Sequence, residues 1–173
     1  MRDRQLGFTL IEVMVVVALM IVLVGLSGPG FVSATRKNSA ESLKSSLIAA
    51  IKLARSEAIV SSPRTRGYPT IDSVNVCASS NYTSCTGEWG NGWIVYIPST
   101  NYGSAPAEVL RVFKADSSFT ITSSTGLKNI AFRPTGFPST NGTDIITTTF
   151  TINDPKGYTP DQTLTLQTNG SAK

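Results

Sequence analysis

Phe8-Thr9-Leu10-Ile11-Glu12-Val13 opens a run of nineteen residues, Phe8 to Leu26, in which Glu12 is the sole charge. At about 1.5 Å per helical residue the run spans roughly 28 Å, close to the hydrocarbon thickness of a bilayer. Before it stands Met1-Arg2-Asp3-Arg4-Gln5-Leu6-Gly7, short, hydrophilic and net basic. An ordinary secretory signal places its cleavage site after the apolar region. Here the small residue comes first, so cutting after Gly7 leaves the apolar segment on the mature chain. The stretch reads as a membrane anchor with a removable leader, oriented by basic residues on the cytoplasmic side.

Glycine followed by Phe-Thr-Leu-Ile-Glu and an apolar helix resembles the type III signal of type IV pilins and pseudopilins. The match covers Gly7 to Glu12 without a departure. The resemblance implies that a prepilin peptidase cuts between Gly7 and Phe8 and methylates the new Phe8 amine. A carboxylate at Glu12 costs about 2.5–3.5 kcal/mol in the hydrocarbon region, so it calls for protonation or a partner. The Phe8 amine lies one helical turn away in the same chain. In the family reading, Glu12 instead meets the amine of a neighbouring subunit and sets the register of assembly.

Charged residues make up only 15% of the chain, and the net charge is +4, mildly basic and uninformative about partners. The absence of histidine excludes His-dependent triads, zincin motifs and His-rich metal sites. Two cysteines, Cys77 and Cys85, stand eight residues apart with no further Cys or His to complete a zinc site. In an exported domain their natural reading is a disulfide, contributing roughly 2–3 kcal/mol in the chain-entropy account.

After the apolar run, Gly25, Gly28, Pro29 and Gly30 interrupt the helical pattern. Proline lacks a backbone donor and clashes with the preceding turn, so Gly28, Pro29 and Gly30 mark a kink or a place where helix melts. Helical periodicity then resumes from Phe31 to about Ser61. Leu43, Leu47, Ala50, Ala54 and Ala58 form a stripe that Ile51 and Leu53 widen, and Asn38 and Ser39 are candidate local caps. Ser61-Ser62-Pro63 ends the helix. From Phe8 to Ser61 it would be roughly 80 Å long.

The remainder reads as seven short strands: 72–77, 92–97, 109–113, 119–122, 129–133, 146–152 and 163–167. Phe150-Thr-Ile152 and Leu164-Thr-Leu166 alternate, so one face is covered and the other solvated. Glycine- and proline-rich turns separate these strands. The expected fold is α+β and pilin-like, a long N-terminal helix packed on an antiparallel sheet head.

Four further features occur in a fixed order: Arg55-Ser-Glu-Ala58, the cysteine loop, Gly87-Glu-Trp-Gly-Asn-Gly-Trp-Ile-Val-Tyr96 and Phe132-Arg-Pro-Thr-Gly136. Together they resemble the GspH/FimT family of minor pilins and pseudopilins, and its FimU-type members most. Trp89 and Trp93 read as core packing rather than as ligand-stacking residues. DNA-binding members of the FimT branch end in Gly-Arg-x-Arg. Here the tail is Gly170-Ser171-Ala172-Lys173, with one side-chain cation to neutralise phosphate. Nucleic acid is therefore not expected as a partner. The acidic residues are scattered on turns and strand ends, and no catalytic constellation, cofactor motif or metal spacing emerges.

These readings divide the chain into a leader (1–7), a transmembrane and filament-core half-helix (8–30) and a head (31–173). The resemblance implies a non-enzymatic minor subunit that primes assembly of a type IV pilus and enters it near the tip. Its partners would be other minor pilins, the major pilin, the prepilin peptidase and the inner-membrane assembly platform. It would sit in the inner membrane with its head in the periplasm before assembly, and in the extracellular pilus afterwards. A minor pseudopilin of type II secretion and a DNA-binding minor pilin for natural transformation are the alternatives.

Overall fold

A computed structural model describes residues 8–60, 63–145 and 147–173, apart from the side chains of Val24 and residues 26–29. Among the described residues one α-helix, α1 (Leu10–Val60, 51 residues), is followed by nine strands in two antiparallel sheets and two short 3-10 turns, Pro63–Arg66 and Trp89–Asn91. At 1.5 Å per residue α1 is about 76 Å long. Thr9 starts it, since both its backbone oxygen (3.1 Å) and its hydroxyl (3.3 Å) accept from the Glu12 N–H. Helix runs unbroken through Gly28, Pro29 and Gly30, although each glycine costs about 1 kcal/mol and proline about 3 relative to alanine. Asn38 and Ser39 also lie inside the continuous helix, so neither begins a new one. The helix is recorded to Val60, and Ser61 and Ser62 lie outside the described residues.

The two halves of α1 differ in what they touch. Leu10 to Leu23 are exposed, with nothing of the head over them. Among the described residues no helix is long and apolar enough to cross a membrane; the described side chains of the apolar run stop at Leu23. Above Gly30 the stripe turns inward. Ala40, Leu43, Leu47, Ala50, Ile51, Ala54 and Ala58 are buried, while Leu53 is only partly covered. The alanines let the sheet approach the helix closely, and the larger residues fill the space between.

The main sheet contains β1 (Val74–Ala78), β2 (Gly92–Pro98), β3 (Pro106–Lys114), β5 (Asn129–Phe132), β6 (Pro138–Thr140) and β7 (Thr143–Asp144), in the order β3-β2-β1-β5-β6-β7. The smaller sheet holds β4 (Thr120–Ser123), β8 (Thr148–Asn153) and β9 (Gln162–Leu166), in the order β4-β8-β9. Sequence periodicity anticipates one sheet of seven strands. The extra pair, β6 and β7, flanks Asn141-Gly142 and is too short to leave a periodic signal. The expected start of β8 at Ile146 lies outside the described residues.

Both faces of the central strands are covered, and every residue of β1 and β2 is buried. Val74, Val76, Trp93 and Val95 join the helix stripe in the main core. Cys77, Ile94 and Tyr96 form a second cluster on the other face, closed by Tyr82 and Cys85. In β8 and β9 the predicted alternation holds: Phe150, Ile152, Leu164 and Leu166 are buried, and the threonines between them are half-buried. Trp89 meets Phe150 edge-on at 5.3 Å between ring centres and donates to the Leu127 carbonyl (2.7 Å). Trp93 stacks on Phe113 at 6.1 Å.

Candidate functional site

Two of the residues that the sequence singles out stand at the start of α1, Phe8 just before it and Glu12 in its first turn. Phe8 is 82% exposed, and Glu12 sits one turn later on the same side, where the helix dipole favours an anion. With Val13, Val16, Val17 and Met20 they line a shallow apolar groove along the bare helix. Gly7 lies outside the described residues, and of Gly28 and Pro29 only the helical backbone is described. Gly30 faces open space. Cys77 and Cys85 are bonded, with Cα atoms 5.5 Å apart, far along the chain from the helix start.

The bridge ties a loop to β1 over the second cluster. Within that loop the Asn81 carboxamide oxygen accepts from the Thr83 (3.1 Å) and Ser84 (3.0 Å) amides. Tyr82 adopts a positive φ of 62° and reaches the Asn91 carbonyl (3.1 Å) through its hydroxyl. Gly92, at φ 130°, leaves room for that ring, since a Cβ there would lie 2.7 Å from it. Beneath the loop, the Tyr96 hydroxyl donates to the Gly103 carbonyl (2.9 Å) and lies 3.3 Å from Asn75 and Asn129. Burial pushes its phenol up to about 12, against the pull of the two asparagine contacts.

Where the bare half of α1 meets the head, two segments grip the helix. The Ser33 hydroxyl donates to the Tyr158 carbonyl (2.8 Å). One turn on, the Arg36 guanidinium donates to the Ser118 hydroxyl (2.8 Å), lies 3.7 Å from the Asp154 carboxylate and stacks 5.2 Å over Phe119. The Asp154 side chain is fully buried and also accepts from the Lys156 amide (3.0 Å). Asp116 flanks this clasp; hydrogen bonds from the Ser118 amide and hydroxyl hold its carboxyl below the usual range, with Arg36 adding to the effect. Sequence reasoning missed the clasp. In the sequence Arg36 falls off the apolar stripe and Asp154-Pro155 is a turn signal, and nothing in either pattern pairs residues 118 positions apart.

A second convergence explains motifs that were otherwise only markers of resemblance. The Arg55 side chain lies across Gly136 and Gly170, at 3.1 and 3.2 Å from where their Cβ atoms would be. Gly170, at φ 78°, also sits so close to Gly136 that a Cβ would fall 2.3 Å from its carbonyl oxygen. The tail beyond it folds back on β9: Lys173 and Thr165 exchange two backbone hydrogen bonds (2.9 and 3.1 Å). Two exposed arginines near the end of α1 have acidic neighbours, while Arg111 on β3 lies over the Phe113 ring. Arg64 lies 3.6 Å from Asp72, and Arg66 lies 2.7 Å from Glu57 and 4.0 Å from Glu108. Among the described residues no group of three ligating side chains stands ready for a metal ion.

A bare apolar half-helix on a helix-backed, disulfide-pinned β head defines a pilin-like protein. A family model described as Type II transport protein GspH matches residues 45–172. A second, the prokaryotic N-terminal methylation motif, matches residues 2–28. No curated protein matches the chain. Among solved structures it is similar to the type IV minor pilin FimU of Pseudomonas aeruginosa in two crystal forms. The first has a TM-score of 0.56 and 18% identity, covering 80% of this chain and 90% of that one. For the second these values are 0.50, 18%, 79% and 90%. At this identity the likeness bears on the fold. The family match spans well over half the chain, and the chain belongs to the GspH family. It is a minor pilin or pseudopilin, a structural subunit rather than an enzyme.

Proposed function

We propose that this chain is a minor subunit of a type IV pilus, stored in the inner membrane and built into the filament near its tip. The observation that carries this reading is the exposed apolar half of α1, with Glu12 one turn from Phe8. Such a surface needs either lipid or other helices around it, and a filament subunit uses both in turn. The leader (1–7) is removed between Gly7 and Phe8 by a prepilin peptidase, which methylates the Phe8 amine. The segment 8–30 is the anchor and later the filament-core helix; the clasp at Ser33 and Arg36 supports a boundary with the head (31–173) at this level. Gly28, Pro29 and Gly30 are where the helix bends or unwinds as the subunit leaves the bilayer. The head, periplasmic and then extracellular, contacts other minor pilins and the major pilin, and the inner-membrane platform drives insertion.

Glu12 is the assembly residue in this reading. Glu12→Leu removes a polar penalty and should still enter the membrane. It should lose its place in sheared filaments. Recovery at the wild-type level would leave Glu12 without a role. The family description favours a second reading, a minor pseudopilin of type II secretion, in which the same processing and anchor serve a secretion filament. A DNA receptor has less support. Arg36, Arg64 and Arg66 are engaged by acidic side chains, and the tail is pinned to β9.

A further inference from the structure

We infer that the base of the head is a lipid-facing foot, formed by the Asp154–Tyr158 loop together with Phe31, Val32 and Lys37, which rests on the outer headgroup layer of the membrane before assembly. The inference rests on the anchor reading above. From Phe8, about 20 helical residues cross the hydrocarbon and place the outer boundary near Gly28. Phe31 and Val32 then lie at headgroup level, and both are exposed. The Ser33–Tyr158 hydrogen bond (2.8 Å) fixes the 154–158 loop at that same height. Tyr158 is half exposed.

The loop cannot swing away from this level, because Asp154 is buried beneath it and is held by Arg36 and by the Lys156 amide. An exposed tyrosine and phenylalanine beside two lysines is the composition favoured at a membrane–water boundary, where a ring sits among headgroups and an ammonium meets phosphate. Lys37 and Lys156 are exposed and carry no ion pair among the described residues. The acids nearby keep their charge: Asp116 accepts from the Ser118 amide (3.0 Å), Asp161 accepts from Asn153 (2.7 Å), and exposed Glu41 stands one turn from Lys37 on α1. The partner is therefore a phospholipid headgroup layer, met by the rings, with the lysine ammonium groups placed to meet phosphate.

The test uses the full mature chain in phosphatidylethanolamine–phosphatidylglycerol nanodiscs, with the native disulfide kept oxidised. A fluorescent label is placed singly by Tyr158→Cys, Lys156→Cys, Val17→Cys and Thr135→Cys. Thr135 adjoins Gly136, which packs on Arg55, about 33 Å along α1 from Ser33. Labels at 158 and 156 should be quenched several-fold more by headgroup nitroxide lipids than the label at 135, and less by aqueous iodide. Labels at 158 and 156 that behave like the one at 135, while 17 is quenched from within the bilayer, overturn the foot and leave the anchor standing. A label at 17 open to iodide overturns both.

Discussion

Arg36→Met keeps an unbranched aliphatic chain but removes the guanidinium, both from its place over Phe119 and from the Asp154 carboxylate, which stays buried without its cation. Breaking a buried pair from one side costs a few kcal/mol, so the variant should lose about 3 kcal/mol in urea unfolding. Replacing Asp154 by Asn as well should restore part of the loss. Tyr96 gives a pH signature instead. Its phenol is pushed up to about 12 by burial, whereas unfolded tyrosines ionise near 10. The folded state therefore holds this proton more tightly. Its contribution is complete below about pH 10 and fades as pH rises toward 12, by about 1.4 kcal/mol per unit. The stability difference between wild type and Tyr96→Phe should be flat below about pH 9 and move in favour of phenylalanine above 10. A difference that stays flat to pH 12 would place the hydroxyl in solvent.

The disulfide acts at the scale of an element, because it closes eight residues of loop over the outer face of β1. Removing it should cost about 2.5 kcal/mol by loop-closure entropy. Hydrogen exchange should rise in the 79–91 loop while α1 and β8 keep their protection; equal loss across the head would contradict this local role. This element, like the helix stripe from Leu43 to Ala58, was legible because its signal is local: cysteine count in one case, a repeat of three and four in the other. The alternating strands β8 and β9 were legible for the same reason. The β6–β7 hairpin was not, since strands of three and two residues, Pro138–Thr140 and Thr143–Asp144, carry no period. Nor was the split into two sheets, which depends on whether β8 pairs with β4 or with β1, a long-range choice that no strand records in its own residues.

For the whole molecule, the apolar half-helix and the β head are each legible in the sequence, and the joint between them is not. Gly7 to Glu12 and the apolar run after them read as an anchor behind a removable leader, and they carry the resemblance to a pilin signal. Arg36 and Asp154 join that helix to the head through a contact that only the folded chain creates, and Arg55, Gly136 and Gly170 lock the tail in the same way. The account makes this chain a processed filament subunit, and that claim is most directly tested at its N-terminus. Filaments sheared from cells that express the chain should contain it, and mass spectrometry of its N-terminal peptide should read Phe8 with one added methyl group. A chain that is absent from the filaments, or one that retains Met1 to Gly7 there, would contradict the account.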